Sequence, residues 1–533
     1  MTQGIQRDFS WLVVASLTVL MVAGCSDDVA GGEEDCASDE QWNPAAEACE
    51  PARTGNDGMP DTGDPSDEDT GEDPGNGDED AGDNGDNGED PDTGGPPQPE
   101  PCEPADGVGM IEGTVTIPSG ELPLPDVSVY VPDGPLDELD PVDPGASCVP
   151  CEEELSGDPL DDTTTDVEGI FVLDEVPVGE DIPLVVETGK WRRTTTVDEV
   201  EACETTYVDD DDTRLPSNRD EGEMPQFAVT TGECDAVECL IRKIGIDDEE
   251  ITPDDEGGAV HLFTGRTSDD DEAEGPTYRF ADDFNDGEEF TMAEDWWDDS
   301  DELLDYDIML NSCECSPISK DDDAMHAFEE FTDAGGRAFL THYHYTWLSD
   351  TPSSGSWDME DVADWNFIPG NPGGMDQTAT GEINVDFPKG LMLRDWMYET
   401  GTTPLGEFDI HHVRGSVDDV DEDIAQDWVT VEGDGDFIGD GGEYIQYFSF
   451  NTPVYAQEED QCGRVVFSDI HVSGREMDMS FDPDPNQDMS GPDYPYPDGC
   501  VTDDLSDQEK ALVFMLFDLS ACILPDDVKK GDW

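Results

Sequence analysis

The chain has 533 residues, with 138 Asp plus Glu against 21 Lys plus Arg and a formal net charge of -117. A field of that sign repels nucleic acid and anionic lipid surfaces, so neither is a direct partner. The length allows roughly three or four domains and a sizeable core. Only 17 of the acidic residues fall in the low-complexity stretch 55–100, so the folded parts carry most of the charge. At about 1 M salt the Debye length shrinks to about 3 Å, and self-repulsion on such a surface is screened. A halophilic, high-salt source is expected.

The first predicted element is an address. Arg7 precedes an apolar run, 11–22, and Val22-Ala23-Gly24-Cys25 is followed at once by Ser-Asp-Asp. A basic start, a short apolar stretch and small residues before a cut describe a signal peptide, 1–24, and the run is shorter than the ~20 residues a membrane span needs. The tetrapeptide resembles the bacterial lipobox. That resemblance implies cleavage before Cys25, attachment of diacylglycerol and palmitate to its thiol, and anchoring in the cell envelope. Ser26 after the cysteine points to the outer membrane, with the ectodomain periplasmic or surface-exposed.

Residues 25–50 form the anchor and a small loop that Cys36 and Cys49 are expected to close. Residues 51–101 are Asp, Gly, Asn, Pro and Glu with almost nothing apolar, so they read as a disordered stalk reaching roughly 40 Å. Calcium loops need acids at alternate positions, a glycine and a twelfth-position Glu; neither the stalk nor 434–440 completes that pattern. Fourteen cysteines suit an oxidising compartment. Cys148-Val-Pro-Cys151 has no second pair and contains Pro150, so structural disulfides among Cys102, Cys148, Cys151 and Cys203 are expected rather than a redox or metal pair. The seven cysteines from Cys234 to Cys522 leave one thiol over.

Residues 102–215 read as a β-sandwich of short strands: 109–117, 127–131, 169–173 and 182–187. Gly113-Thr-Val, Pro125-Asp-Val-Ser-Val and Thr164-Thr165-Asp166-Val-Glu-Gly169-Ile-Phe171 resemble the carboxypeptidase regulatory-like (transthyretin-like) domain, which implies a non-catalytic module that spaces or binds. Within it, Lys190-Trp191-Arg192-Arg193 is the densest basic cluster. Trp191, Arg192 and Arg193 are candidates to grip an anionic glycan, Trp191 by stacking; equally, they fit an edge strand whose charges pair with nearby acids.

From 222 to 533 strands alternate with helices, predicting an α/β three-layer domain with a mostly parallel sheet and an insertion around 349–443. Strands are expected at 225–231, 259–263, 306–310, 337–345, 444–450 and 463–471. Helices are expected at 236–244, after Asp321-Asp-Asp323, at 391–399 and at 507–519, the last opened by a Ser506-Asp-Gln-Glu509 capping box. Ligands in parallel sheets sit beyond the carboxyl ends of strands, where His342, His344, His471 and Cys313 fall. Thiol and imidazoles there suit a Cys/His nucleophile pair or a transition-metal site. They equally suit core histidines and a disulfide. The run Tyr306-Asp-Ile-Met-Leu310, helix, Gly335 to His342, then Gly463 to His471 resembles the trehalose-utilisation (ThuA-like) branch of the class I glutamine amidotransferase-like fold. That family places a nucleophilic cysteine in an elbow after the strand ending here at 341–343 and a histidine before Pro-Glu. Neither is present, so the resemblance implies the fold without amidotransferase chemistry.

Trp296, Trp297, Trp347, Trp357, Trp365, Trp396 and Trp428 concentrate in this region, fitting either sugar stacking, with Trp347 as a candidate binding residue, or core packing. Two functions follow as expectations. One is a non-catalytic envelope lipoprotein that displays its ectodomain to a glycan or protein partner. The other is an extracytoplasmic hydrolase or sugar-modifying enzyme using the histidines, with or without a metal.

Overall fold

The computed structural model describes residues 40–43, 48–51, 107–149, 155–232, 235, 237–265, 290–314, 316–353, 357–365, 378–433, 442–472 and 505–523. Cys25, Cys36, Cys102, Cys151 and the stalk beyond Pro51 lie outside them. The chain divides into two compact units, Met1–Gly95 and Pro96–Trp533. In the first, Glu40–Asn43 pairs antiparallel with Ala48–Pro51, setting Trp42 opposite Cys49.

The second unit is a multidomain, largely β structure. It begins with β1 (Val108–Thr114), β2 (Ser128–Pro132), β3 (Pro159–Thr164), β4 (Ile170–Pro177), β5 (Gly179–Thr188), β6 (Trp191–Val200), β7 (Thr205–Tyr207) and β8 (Gly222–Glu223). They form a five-stranded sheet, β8-β6-β5-β2-β3, and a three-stranded one, β4-β1-β7. The turn into β4 is fixed locally: Asp166 Oδ1 accepts from the backbone N–H groups of Glu168 and Ile170. Gly169 closes the turn at φ +73°, where a side chain would also strike the Val115 carbonyl.

A 12-stranded sheet follows, built from β9 (Phe227–Thr230), β10 (Ile251–Thr252), β11 (Val260–Phe263), β12 (Ile308–Asn311), β13 (Arg337–Thr341), β14 (Ala363–Trp365), β15 (Thr378–Ile383), β16 (Glu407–His411), β17 (Val417–Val420), β18 (Ala425–Glu432), β19 (Glu443–Thr452) and β20 (Gly463–Ser468). Its order is β10-β11-β9-β12-β13-β20-β19-β18-β15-β16, with β17 pairing β14 and β19. Strands β10 to β20 in that order run parallel. Beyond β20 every pairing is antiparallel. The expected mostly parallel sheet is therefore corrected to one that is half parallel and half antiparallel. Five strands of the stretch 349–443 extend this same sheet.

The longer helices are α1 (Val237–Lys243), α2 (Asp322–Asp333), α3 (Pro388–Glu399) and α4 (Asp507–Ser520). Asp321 caps α2, accepting from the N–H groups of Asp323 and Ala324, and the Ser506/Glu509 capping box opens α4. Among the described residues no helix is long and apolar enough to cross a membrane.

Side chains on the parallel strands alternate between two cores. Phe227, Val229, Ile308, Leu310 and Phe339 enter a cluster continuous with sandwich residues Leu124, Val129 and Trp191 and with Trp396 and Phe514. Ala228, Met309, Ala338 and Leu340 enter the other, with Phe328, Trp347 and Phe448. Period-two alternation with apolar residues on both faces is what a fully buried strand requires.

Of the two readings open for the basic cluster and for Trp347, internal pairing and core packing fit their burial. Trp191 is 1% exposed, its ring 6.0 Å from Phe227 and 5.9 Å from Phe517, so it cannot stack on a sugar. Arg192 is buried and pairs with Glu187 at 2.5 Å, while Arg193 reaches Glu221 at 3.2 Å; both charges are used internally. Trp347 is fully buried, stacked on Phe328 at 4.8 Å, and belongs to the core. The disulfide expectation changes too: Cys148 bonds to Cys462, 314 residues away, joining the sandwich to the start of β20. Cys203, Cys239 and Cys522 are also disulfide-bonded.

Trp191→Ala is expected to cost about 3–5 kcal/mol of unfolding free energy, the usual range for emptying a buried tryptophan site. Denaturant unfolding in concentrated salt measures it; a loss below about 1 kcal/mol would place Trp191 outside the core.

Candidate functional site

Strands β12, β13 and β20 are neighbours and parallel, so their carboxyl ends reach the same edge of the sheet. Cys313 lies two residues beyond β12, His342 directly after β13, and His471 three residues beyond β20. The ends are stitched together. Thr341 Oγ1 donates to the Asn311 carbonyl at 3.1 Å, and Thr230 Oγ1 donates to Asn311 Oδ1 at 2.8 Å. After β20, the Ile470 N–H donates to Ser468 Oγ at 3.0 Å, and the Val472 N–H to Asp235 Oδ1 at 2.8 Å, which fixes the backbone on both sides of His471. Gly232 lies so close to the Cys313 carbonyl that any Cβ there would overlap it.

This arrangement gathers three side chains. Cys313 Sγ and His342 Nδ1 are hydrogen-bonded at 3.4 Å, and the His342 and His471 rings meet edge to face with centroids 5.2 Å apart. One ligand-capable atom from each of Cys313, His342 and His471 lies within 4.8 Å of the other two. The set is sealed, at 0%, 2% and 2% exposure respectively. Neither ring nitrogen of His471 has a hydrogen-bond partner among the described residues.

The expected strand 337–345 stops at Thr341. His342 takes φ +38°, and residues 342–345 form a 3-10 turn. A non-glycine residue in the left-handed region carries strain of roughly 1–3 kcal/mol. Here it swings the imidazole off the strand and toward Cys313. It also separates the two imidazoles expected side by side, because period-two alternation no longer applies past Thr341. His344 instead donates from Nε2 to the Ser312 carbonyl at 2.8 Å and lies 3.8 Å from Glu314 Oε2. Glu314 in turn pairs with Lys320 at 3.3 Å, and the Lys320 ammonium sits 4.0 Å over the Trp297 ring. His344 therefore belongs to a neighbouring buried network.

Burial governs the protonation of the site. It holds His342 and His471 well below the ordinary imidazole range, helped for His342 by His471 and Arg414 and for His471 by Arg414 and His412. His344 is lowered by burial and by Lys320. Beside them Asp469, which accepts from the Ser416 N–H at 2.8 Å, is pushed up to about 7, burial outweighing the Ser416 hydrogen bonds and Arg414. No local pattern singles out Asp469 or Arg414, because the β16–β17 turn that delivers Arg414 and Ser416 is distant in the chain. An imidazole held as low as that of His342 is a weak base for the neighbouring thiol.

No family model matches the chain, and no curated protein matches it. Among solved structures, a type II cohesin–X-dockerin complex from Acetivibrio cellulolyticus aligns over 28% of this chain and 88% of its own at 11% identity and a TM-score of 0.15, a likeness too low to carry any argument.

The lowered imidazoles have a consequence for stability. Each takes up a proton in the unfolded chain near its ordinary value of about 6.5 but resists it in the fold, so its contribution is complete above about pH 6.5 and declines as pH falls below that. Asp469 acts in the opposite sense, so the imidazole contribution is read as a difference between variants. In concentrated salt, wild type is expected to lose more unfolding free energy than His344→Gln between about pH 7.5 and about pH 5. Parallel profiles would show that His344 is not held neutral.

Proposed function

We propose that the protein is a cell-envelope lipoprotein, anchored through Cys25, whose ectodomain plays a non-catalytic binding or structural role in a high-salt environment. The observation that carries the non-catalytic reading is the closure of the site. Cys313, His342 and His471 lie at the edge where a parallel sheet normally binds ligands, yet all three are sealed from solvent. The lowered basicity of His342 adds to this, since a nucleophilic cysteine needs a base able to take its proton.

The two domain readings fit this role. The paired sheets before residue 224, with the Asp166 to Gly169 turn leading into β4, support a carboxypeptidase regulatory-like sandwich. The parallel half of the large sheet, apolar on both faces and covered by α1, α2 and α4, supports an α/β core of the amidotransferase-like kind, with Cys313 just beyond the neighbouring strand and His342 in the turn that ends β13. With Trp191 and Trp347 internal, the partner that suits the exterior is a protein or glycan presenting cationic groups, since the described surface is dominated by carboxylates.

The reading is tested on the full-length lipoprotein purified from membranes in concentrated salt. Peptide mapping after iodoacetamide treatment is expected to find Cys313 unmodified in the folded protein and alkylated after unfolding, with no turnover of ester, amide or glycoside substrates. Rapid alkylation of folded protein, accompanied by loss of a measurable hydrolytic activity, would replace this reading with the enzymatic one.

A further inference from the structure

We propose that Cys313, His342 and His471 form a transition-metal site, with zinc the best-suited ion, and that this centre ties the carboxyl ends of β12, β13 and β20 together. Three observations converge on it.

The first is the orphaned imidazole. A buried ring nitrogen without a partner forfeits the hydrogen bonds it makes in water. His471 carries two such nitrogens, although its backbone is secured on both sides, with its carbonyl accepting from Gln508 Nε2 at 2.5 Å. A fold that fixes the residue so firmly and leaves its ring unsatisfied has room for a ligand at that ring, and the nearest chemistry is a thiol and a second imidazole.

The second is geometric. In a tetrahedral zinc site with a sulfur at about 2.3 Å and nitrogens at about 2.0–2.1 Å, the sulfur–nitrogen edge is about 3.6 Å. Cys313 Sγ and His342 Nδ1 stand 3.4 Å apart, and the whole set of donor atoms spans no more than 4.8 Å.

The third is the donor set and its protonation. One thiolate and two neutral imidazoles suit zinc and its borderline-soft neighbours and do not suit calcium or magnesium, which prefer oxygen. Binding then forms one metal–sulfur and two metal–nitrogen bonds, and the Cys313 thiol releases its proton to solvent. A fourth position remains for water or another donor. The strain at His342 also acquires a purpose: φ +38° aims the ring at Cys313 and away from the His344 network.

The test uses the full-length protein in concentrated salt, which suppresses adventitious cation binding to its carboxylates. After exposure to zinc and removal of the excess, metal analysis is expected to find stoichiometric zinc in wild type and in His344→Gln, and only traces in Cys313→Ser and His471→Ala. Chelator-stripped wild type titrated with cobalt is expected to develop a thiolate-to-cobalt charge-transfer band that Cys313→Ser lacks. The cobalt titration of wild type stands even if a variant fails to fold. Absence of both retained zinc and the charge-transfer band in wild type overturns the proposal. So does zinc retained undiminished in Cys313→Ser and His471→Ala.

Discussion

The constraint on which the structure turns is the parallel alignment of β12, β13 and β20. Three strands from distant parts of the chain run the same way side by side, so whatever follows each of them arrives at one edge. The buried backbone there must be satisfied: Thr341 bonds the Asn311 carbonyl across β12 and β13, and Ser468 accepts from the Ile470 N–H just beyond β20. Cys313, His342 and His471 meet because those ends meet. If β13 continued as a strand past Thr341, the imidazole of His342 would stay on the face shared with Leu340 and the cluster would not assemble.

A second constraint is the scarcity of positive charge. With 21 Lys and Arg facing 138 acids, cations are rarely left on the surface. Lys190 pairs with Asp307 and donates to the Asp143 carbonyl, binding the sandwich to the strand entering the site. Lys243 pairs with Glu509 at 2.6 Å, joining α1 to α4, and Lys389 and Arg464 converge on Asp518 at 2.7 and 3.1 Å. Buried pairs add little net stability over an apolar substitute, but losing one partner strands a charge and costs about 3–5 kcal/mol. Such ties specify how elements dock, and they act where salt screens least.

These two constraints explain what could be read in the sequence. The helices were legible because their signals are local: the Asp321 cap, Gly335 after α2 and the Ser506/Glu509 box. The hydrophobic strands β9, β11 and β12 were legible as apolar runs. The strands of 363–432 were not, because their exposed faces carry the carboxylates of an acid-adapted surface. Glu407-Phe-Asp-Ile-His411 alternates cleanly, with Phe408 and Ile410 buried, yet Asp and Glu are poor strand formers by ordinary propensity. Val417-Asp-Asp-Val420 hides the same way. For Trp191 and Arg192 the sequence left a binding patch and an internally paired strand equally open, because the acids that neutralise the cluster, Glu187 and Glu221, lie on other elements. For the site, position beyond strand ends picked out Cys313, His342 and His471. It grouped His344 with them wrongly, since the turn at His342 is a tertiary choice that no local pattern announces.

The fold and the site share one claim, that Cys313, His342 and His471 act as a unit at the closed edge of the sheet. X-ray absorption at the zinc edge of the loaded full-length protein tests it most directly. The account predicts an inner shell with one sulfur near 2.3 Å, as ~2.3 Å is usual for a thiolate, and two imidazole nitrogens at about 2.0–2.1 Å. A shell of oxygens alone would place the metal on surface carboxylates and contradict it.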